Sequence, residues 1–470
     1  MHIHILGVCG TFMGGIAAIA KAAGHTVTGC DANVYPPMST QLVAQGIELI
    51  EGFGADQIEL EPDVFVIGNV VARGNALMEE ILNRGLPYIS GPQWLAANVL
   101  RDRRVLAVAG THGKTTTTSI AAWVIDQGEL NPTFLIGGVA QNFGHSFRVT
   151  DSDYFIIEAD EYDTAYFDKG PKFMHYLPEL AIVNNIEFDH ADIYRDLDAV
   201  KLAFRRFMNL VPENGRLIAG WDSPHVRAVV ESFGERLFTR LETFGTERSA
   251  KWQVRNAEFG EGLSRFEVFC ENQSWGEFQT PLVGEFNLLN CLAVIVAADA
   301  WGVSKEKISS ALASFQNVKR RAEVRGEEKG VLVIDDFAHH PTAVRETLRA
   351  LRARYRDRRL IAVFEPRSWS SRLAVFQDDY ANAFAAADYV VIAAVFDSDK
   401  VTEKGRALDT RALIDAISQQ GKPAFALPDA GEIVTHLVPE LREGDVVAIM
   451  SNGGFGGIHD RILSALQSQV

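Results

Sequence analysis

The stretch Val105-Leu-Ala-Val-Ala-Gly-Thr-His-Gly-Lys-Thr-Thr-Thr-Thr118 decides how the rest of the chain is read. Val105 to Ala109 is a short apolar run, the pattern of a buried strand. It stops at Gly110-Thr111-His112-Gly113-Lys114-Thr115-Thr116, and Ser119-Ile-Ala-Ala-Trp-Val-Ile125 continues at helical spacing. Strand, glycine-rich turn and helix together form a phosphate cradle. Glycines let backbone N–H groups approach the phosphate, and the helix N-terminus adds partial positive charge. Lys114 can bridge β- and γ-phosphates, and the Thr115 hydroxyl can ligate Mg²⁺. A full Walker A loop would carry its first glycine at position 108, which is Val108, so this loop is a variant. An ordinary glycine-rich turn is the competing reading.

Upstream, Ile3-His-Ile-Leu-Gly7 reads as a strand opening into a turn with Gly7, Gly10, Gly14 and Gly15. A helix is expected from Ile16 to Ala23, then a strand Val27-Thr-Gly-Cys-Asp31 ending in an acid. This β-α-β unit is Rossmann-like, although its glycine spacing is not G-x-G-x-x-G. Downstream, Ser152-Asp-Tyr-Phe-Ile-Ile-Glu158 delivers Glu158 to a strand's carboxyl end, and Leu180-Ala-Ile-Val183 leads to His190. In an open α/β sheet such ends converge on one crevice, which would unite the loop, Glu158 and His190. A carboxylate beside Thr115 suits Mg²⁺, whereas a lone histidine after a strand is more often a hydrogen-bonded core residue. Lys201, on an expected helix Leu197 to Met208, reads from the residues alone as an exposed lysine.

Residues 215 to 283 read as an antiparallel appendage of short strands. Asn287 and Asn290, spaced i and i+3, share a helix face, where capping by one of them is the simplest role. A third α/β unit follows, with Asp335-Asp336-Phe337-Ala338-His339-His340-Pro341 after the strand Val331 to Ile334 and Phe364-Glu-Pro-Arg-Ser368 after another. The expected fold class is therefore α/β in three domains: a Rossmann-like domain at 1–104, a P-loop-type ATPase domain at 105–318 and a Rossmann-like domain at 319–470.

The composition agrees. The 470 residues are 47% hydrophobic and 23% charged, an ordinary globular balance. A net charge of −16 argues against non-specific nucleic-acid binding, without excluding anionic ligands held by local cations. Cys9, Cys30, Cys270 and Cys291 form no C-x-x-C pair, as expected of reduced thiols in a cytoplasmic protein. The first residues carry no basic n-region and no run is long enough to cross a bilayer, so neither a signal peptide nor a membrane span is expected.

With these motifs in hand, the chain resembles the Mur ligases, ATP-dependent enzymes of bacterial cell-wall precursor synthesis. Gly110 to Thr116 is similar to the family's phosphate loop, Glu158-Ala-Asp-Glu-Tyr-Asp163 to its acidic Mg²⁺ segment, and Asn185-Ile-Glu-Phe-Asp-His190 to its Asn-x-x-x-Asp-His motif. Asn287 and Asn290 fit its paired asparagines, Arg321 its domain-junction arginine and Asp336 its ribose-binding acid. The resemblance implies ATP and Mg²⁺ as cofactors. Lys114, Glu158, His190 and Arg321 become candidate catalytic groups. Gly110 to Thr116, Asn287, Asn290, Arg321, Asp336 and His339 become candidate ATP contacts. Thr115, Glu158 and His190 become candidate metal ligands. Lys201 joins them because some members carbamylate a nearby lysine that bridges two Mg²⁺ ions.

Within the family, the opening loop and Asp335 to Pro341 resemble the subgroup that binds UDP-N-acetylmuramate. Gly7, Gly10, Thr11, Phe12, Met13, Gly14 and Asp31 are then candidate sugar-nucleotide contacts. Gly10 to Gly15 with Asp31 to Thr40, Ser90 to Trp94, Phe364 to Ser368, and Ser451 to Gly457 resemble the branch that attaches L-alanyl-γ-D-glutamyl-meso-diaminopimelate during wall recycling. The alternatives are the branch that adds L-alanine and, outside catalysis, a nucleotide-binding regulatory protein. Arg367 and Arg372 are candidate peptide contacts, with Lys400 and Lys404 candidates by charge alone. Two departures from the family pattern stand out. Phe286 replaces a histidine before the first asparagine, and Trp369-Ser-Ser-Arg372 follows the Glu-Pro-Arg-Ser stretch. No obligate protein partner is expected.

Overall fold

The computed structural model describes residues 1–34, 38–260, 262–397 and 406–468. Lys400 and Lys404, and Tyr35 to Pro37 within the Asp31–Thr40 stretch, lie outside them. Three large sheets succeed one another along the described residues, with a two-stranded ribbon, Asp163–Ala165 against Asp168–Pro171, beside the second. The first has five parallel strands in the spatial order Glu48–Glu51, Thr26–Asp31, β1 (His2–Leu6), Val64–Ile67, Tyr88–Ser90, a Rossmann-type arrangement. Helix α1 (Thr11–Ala22) follows β1. It starts earlier than the expected Ile16 because Gly14 and Gly15 belong to the helix and serve packing. A Cβ on Gly14 would fall 2.5 Å from Met38 Sδ, and one on Gly15 2.2 Å from Leu135 Cδ1. The second contact seats α1 directly on the central sheet.

The central sheet has ten strands. Its middle is parallel: Arg216–Gly220, then β4 (Leu180–Val183), β2 (Arg104–Ala109), β3 (Tyr154–Glu158) and Thr133–Ala140. The apolar residues of β2 and β4 are wholly buried, as strands covered by helices on both faces must be. Helix α2 (Lys114–Gln127) leaves β2 through the phosphate loop and packs beside α3 (Glu285–Ala300). The expected antiparallel appendage at 215–283 needs correction. Arg216–Gly220 and Arg240–Gly245 extend the sheet in parallel, because the helix Pro224–Glu231 crosses over between them. Antiparallel pairing is confined to the strands within Trp252–Thr280 on this side, and to His145–Arg148 at the opposite edge.

The third sheet orders Glu323–Glu328, β5 (Val331–Asp336), Val446–Met450, Leu360–Phe364, Tyr389–Ala393 and Ala424–Leu427. Only the first of these pairs antiparallel. Helix α4 (Pro341–Arg354) follows β5, with His340 as its cap and Pro341 at its first position. Among the described residues, no helix is long and apolar enough to cross a membrane. The carboxyl ends of β2, β3, β4 and β5 face a cavity of about 940 Å³ between the central and third sheets.

Candidate active site

The cavity is built on the phosphate loop. Gly110 and Gly113 have φ of +141° and +83°, conformations that a side chain would strain. A Cβ on Gly113 would also stand 2.8 Å from Asn290 Oδ1, so α3 closes over this turn. Lys114, the first residue of α2, folds back so that its Nζ donates to the Gly110 carbonyl at 2.7 Å and to Glu161 Oε2 at 2.8 Å. Burial works to lower the ammonium's pKa, but Glu161 and Asp160 outweigh it and the net shift is upward. Lys114 is thus a fixed cation that gives up no proton near neutrality.

Glu158, at the end of β3, accepts from Thr115 Oγ1 at 2.9 Å and from the Gly137 N–H at 2.7 Å. Burial pushes its carboxyl pKa upward. Burial outweighs the Thr115 and Gly137 hydrogen bonds and the nearby Lys114 charge, and a divalent cation between Thr115 and Glu158 would offset that cost. Asp160, Glu161 and His190 each place a ligand atom within 4.8 Å of the others. His190, at φ +52°, lies 3.4 Å from Glu161 Oε1. Burial lowers the imidazole's pKa, yet Glu161 raises it further, to about 9. Asp160 is held well below the usual carboxylate range because Lys172 and Lys114 override its burial. The donor set is rich in carboxylate oxygen, the preference of Mg²⁺, so these residues fit that ion.

Across the cavity, Asn290 Nδ2 donates to Asn287 Oδ1 at 3.2 Å, and Asn287 Nδ2 to the Val283 carbonyl at 2.9 Å. Helix α3 starts at Glu285, so both asparagines lie in its first turns and share a face, as their spacing predicts. Asp336 ends β5 and accepts from the Ala322 and Ala338 N–H groups, each at 2.7 Å. The Arg321 guanidinium sits 5.2 Å from the Phe337 ring centroid and lines the cavity with His339 and Phe286.

Other candidates lie elsewhere. Lys201 Nζ is 3.5 Å from Asp198 on its own helix and does not line the cavity. In the first sheet's loop, Asp31 accepts from the Cys9 N–H at 2.9 Å, and Gly10 and Thr11 are exposed. Phe12 meets the ring of Tyr176, in the connection before β4, at 6.4 Å. Met13 is buried against Gly68 and Gly91, so its side chain packs the core instead of facing a ligand. Arg367 lies over the Phe396 ring at 3.9 Å and Arg372 over Trp369 at 4.8 Å. The loop's sequence hides its pairing: Glu161, three residues beyond Glu158, holds both Lys114 and His190, and no local pattern distinguishes it from its acidic neighbours. Glu187 and His340 also line the cavity from different sheets, a juxtaposition that only the fold creates.

Three family models match the chain: Mur ligase family, catalytic domain, over residues 2–103; Mur ligase middle domain over 108–298; and Mur ligase, glutamate ligase domain, over 320–453. The UDP-N-acetylmuramate–L-alanyl-γ-D-glutamyl-meso-2,6-diaminoheptandioate ligase of Escherichia coli is 45% identical over 471 residues, covering 100% of this chain and 99% of that protein. The UDP-N-acetylmuramate–L-alanine ligase of Myxococcus xanthus is 32% identical over 468 residues, covering 99% and 95%. The crystal structure of a murein peptide ligase from Psychrobacter arcticus superposes with a TM-score of 0.73 at 38% identity, covering 100% of this chain and 99% of that one.

Proposed function

Because this chain belongs to the Mur ligase family and is an ATP-dependent ligase, we propose that it joins UDP-N-acetylmuramate to L-alanyl-γ-D-glutamyl-meso-diaminopimelate, as a step of peptidoglycan recycling. One observation carries the choice of amine substrate. Identity to a ligase named for the tripeptide is 45% across the whole chain, against 32% for one named for L-alanine.

A carboxylate and an amine do not condense in water until the carboxylate gains a leaving group. In the proposed reaction a muramoyl carboxylate oxygen attacks the γ-phosphorus of ATP, and ADP leaves. The peptide amine then attacks the acyl phosphate carbon, and the tetrahedral intermediate collapses to amide and inorganic phosphate. The first step brings two anions together, so its barrier is largely electrostatic. Lys114, fixed by Glu161 and the Gly110 carbonyl, would stabilise the charge on the transferring phosphoryl group. Arg321 would add a second cation from the junction of the central and third sheets. Asn287 and Asn290 would hold the adenine, Asp336 the ribose, and the Gly7–Gly14 turn with Asp31 the UDP diphosphate side. Mg²⁺, held by Thr115 and Glu158 and by His190, would neutralise phosphate charge.

Carboxylate oxygen labelled with ¹⁸O tests this route directly. One label per turnover should appear in inorganic phosphate, with tripeptide-dependent ADP release and a product of the ligated mass. Unlabelled phosphate from a productive ligation would rule out the acyl phosphate.

A further inference from the structure

His112, Glu187 and His340 bring one ligand atom each to within 4.8 Å of one another, yet the proposed ligation assigns metal chemistry to none of them. They arrive from three segments: the phosphate loop, the turn after β4, and the cap of α4 on the third sheet. His112 Nε2 lies 3.2 Å and His340 Nδ1 3.7 Å from the same oxygen, Glu187 Oε2. The other nitrogen of His340, Nε2, directs its proton at the Phe188 carbonyl at 3.2 Å. Its Nδ1 therefore carries the lone pair, which faces Glu187 and accepts the Thr342 N–H at 3.3 Å, a cap bond that a metal ion would displace. Thr342 Oγ1 donates to Glu187 Oε2 at 2.7 Å. Outer partners of this kind fix the tautomer of a ligating histidine and the orientation of a ligating carboxylate. Burial holds His340 neutral down to about pH 3. For Glu187, the His112 and Thr342 hydrogen bonds override burial and keep the carboxyl near a pKa of about 2.

We propose that His112, Glu187 and His340 form a binding site for a transition-metal ion of zinc's preferences, separate from the oxygen-rich groups around Glu158 and Glu161. Two imidazoles and one carboxylate are the ligand types that zinc takes in tetrahedral sites with three protein ligands, the fourth position going to water or a ligand group. Mg²⁺ would choose the carboxylate clusters instead. Bond lengths of about 2.0–2.1 Å to each ligand imply ligand separations of about 3.3 Å; His112 and Glu187 already meet this at 3.2 Å, and His340 would move inward from 3.7 Å. Because the ligands come from two sheets, a bound ion would staple the phosphate loop to the third sheet.

The test uses Co²⁺ as a spectroscopic probe on the full-length protein in excess Mg²⁺, so it needs no turnover. One equivalent should give the visible absorption of tetrahedral cobalt, displaced by Zn²⁺. His340→Asn, which keeps a good helix cap, and Glu187→Gln should each weaken binding at least tenfold, while His190→Asn retains it. Zn²⁺ should also raise the melting temperature of the parent protein and leave that of His340→Asn unchanged. Circular dichroism identifies which variants fold, and either folded variant suffices. The proposal is overturned if stoichiometric cobalt gives no tetrahedral spectrum, if the spectrum persists in a folded His340→Asn or Glu187→Gln protein, or if only His190→Asn abolishes it.

Discussion

At the residue level the site is a set of charges held in place by partners distant in sequence. Lys114 illustrates this, since Glu161, on a different strand's end, holds its ammonium together with the loop's own Gly110 carbonyl. Lys114→Ala should remove roughly 3 kcal/mol or more of transition-state stabilisation, a loss of at least about a hundredfold in kcat. Steady-state ADP release checks this, and near-normal turnover would contradict the assigned role. A second residue-level prediction concerns pH. His4, buried in β1 between Thr28 and Gln57, has its pKa lowered by desolvation to about 4, although the Gln57 hydrogen bond works the other way. The folded value lies below the unfolded one. Its stabilising contribution is therefore complete above pH 6.5 and is lost as the pH falls toward 4, by about 3 kcal/mol across that window. Urea midpoints measured between pH 7 and pH 5 should fall less steeply in His4→Gln than in the parent. Equal slopes would show that His4 is accessible to protons in the native state.

At the level of elements, the strand–loop–helix around Lys114 was legible because its chemistry is local. An apolar run, two glycines and a lysine at the helix start specify it without help from the rest of the chain. The same locality made Glu158 readable at the end of β3. Glycines that serve distant neighbours were not legible in this way. Gly14 and Gly15 read as part of a ligand-binding turn, whereas they let α1 approach Met38 and Leu135. Residues 215–283 were misread because a parallel strand looks like any short strand until the crossover helix is placed. Gly15→Ala should destabilise by about 1–3 kcal/mol by overpacking against Leu135, and Leu135→Ala on the same chain should recover part of that loss. Additive losses in chemical denaturation would contradict this account of the contact. In the phosphate loop, Gly113→Ala should cost both stability and ATP affinity, because φ of +83° and the Asn290 contact each oppose a Cβ.

For the whole molecule, the central question is how the third sheet sits against the phosphate loop. His340 and Thr342, at the start of α4, reach Phe188 and Glu187 after β4, so these two parts are joined by hydrogen bonds as well as by the chain at 318–322. The Thr342 bond ends on a carboxylate, a type that contributes about 1.5–3 kcal/mol. Thr342→Val should therefore enlarge the radius of gyration of the ligand-free protein in solution scattering, and an unchanged profile would show that the chain connection alone sets the arrangement. Sequence could not supply this geometry, because Glu187, His340 and Thr342 have no shared local signature. Nor do the placed residues distinguish amine substrates by themselves, since Arg367 and Arg372 stack on aromatic rings outside the cavity. The most direct measurement is a competition: purified protein with ATP, Mg²⁺ and UDP-N-acetylmuramate, given the tripeptide and L-alanine together, with products resolved by mass. The account predicts the tripeptide adduct almost alone, with ADP released in equal amount. A predominant L-alanine adduct would contradict it and place the chain among the ligases that build the wall precursor from its first amino acid.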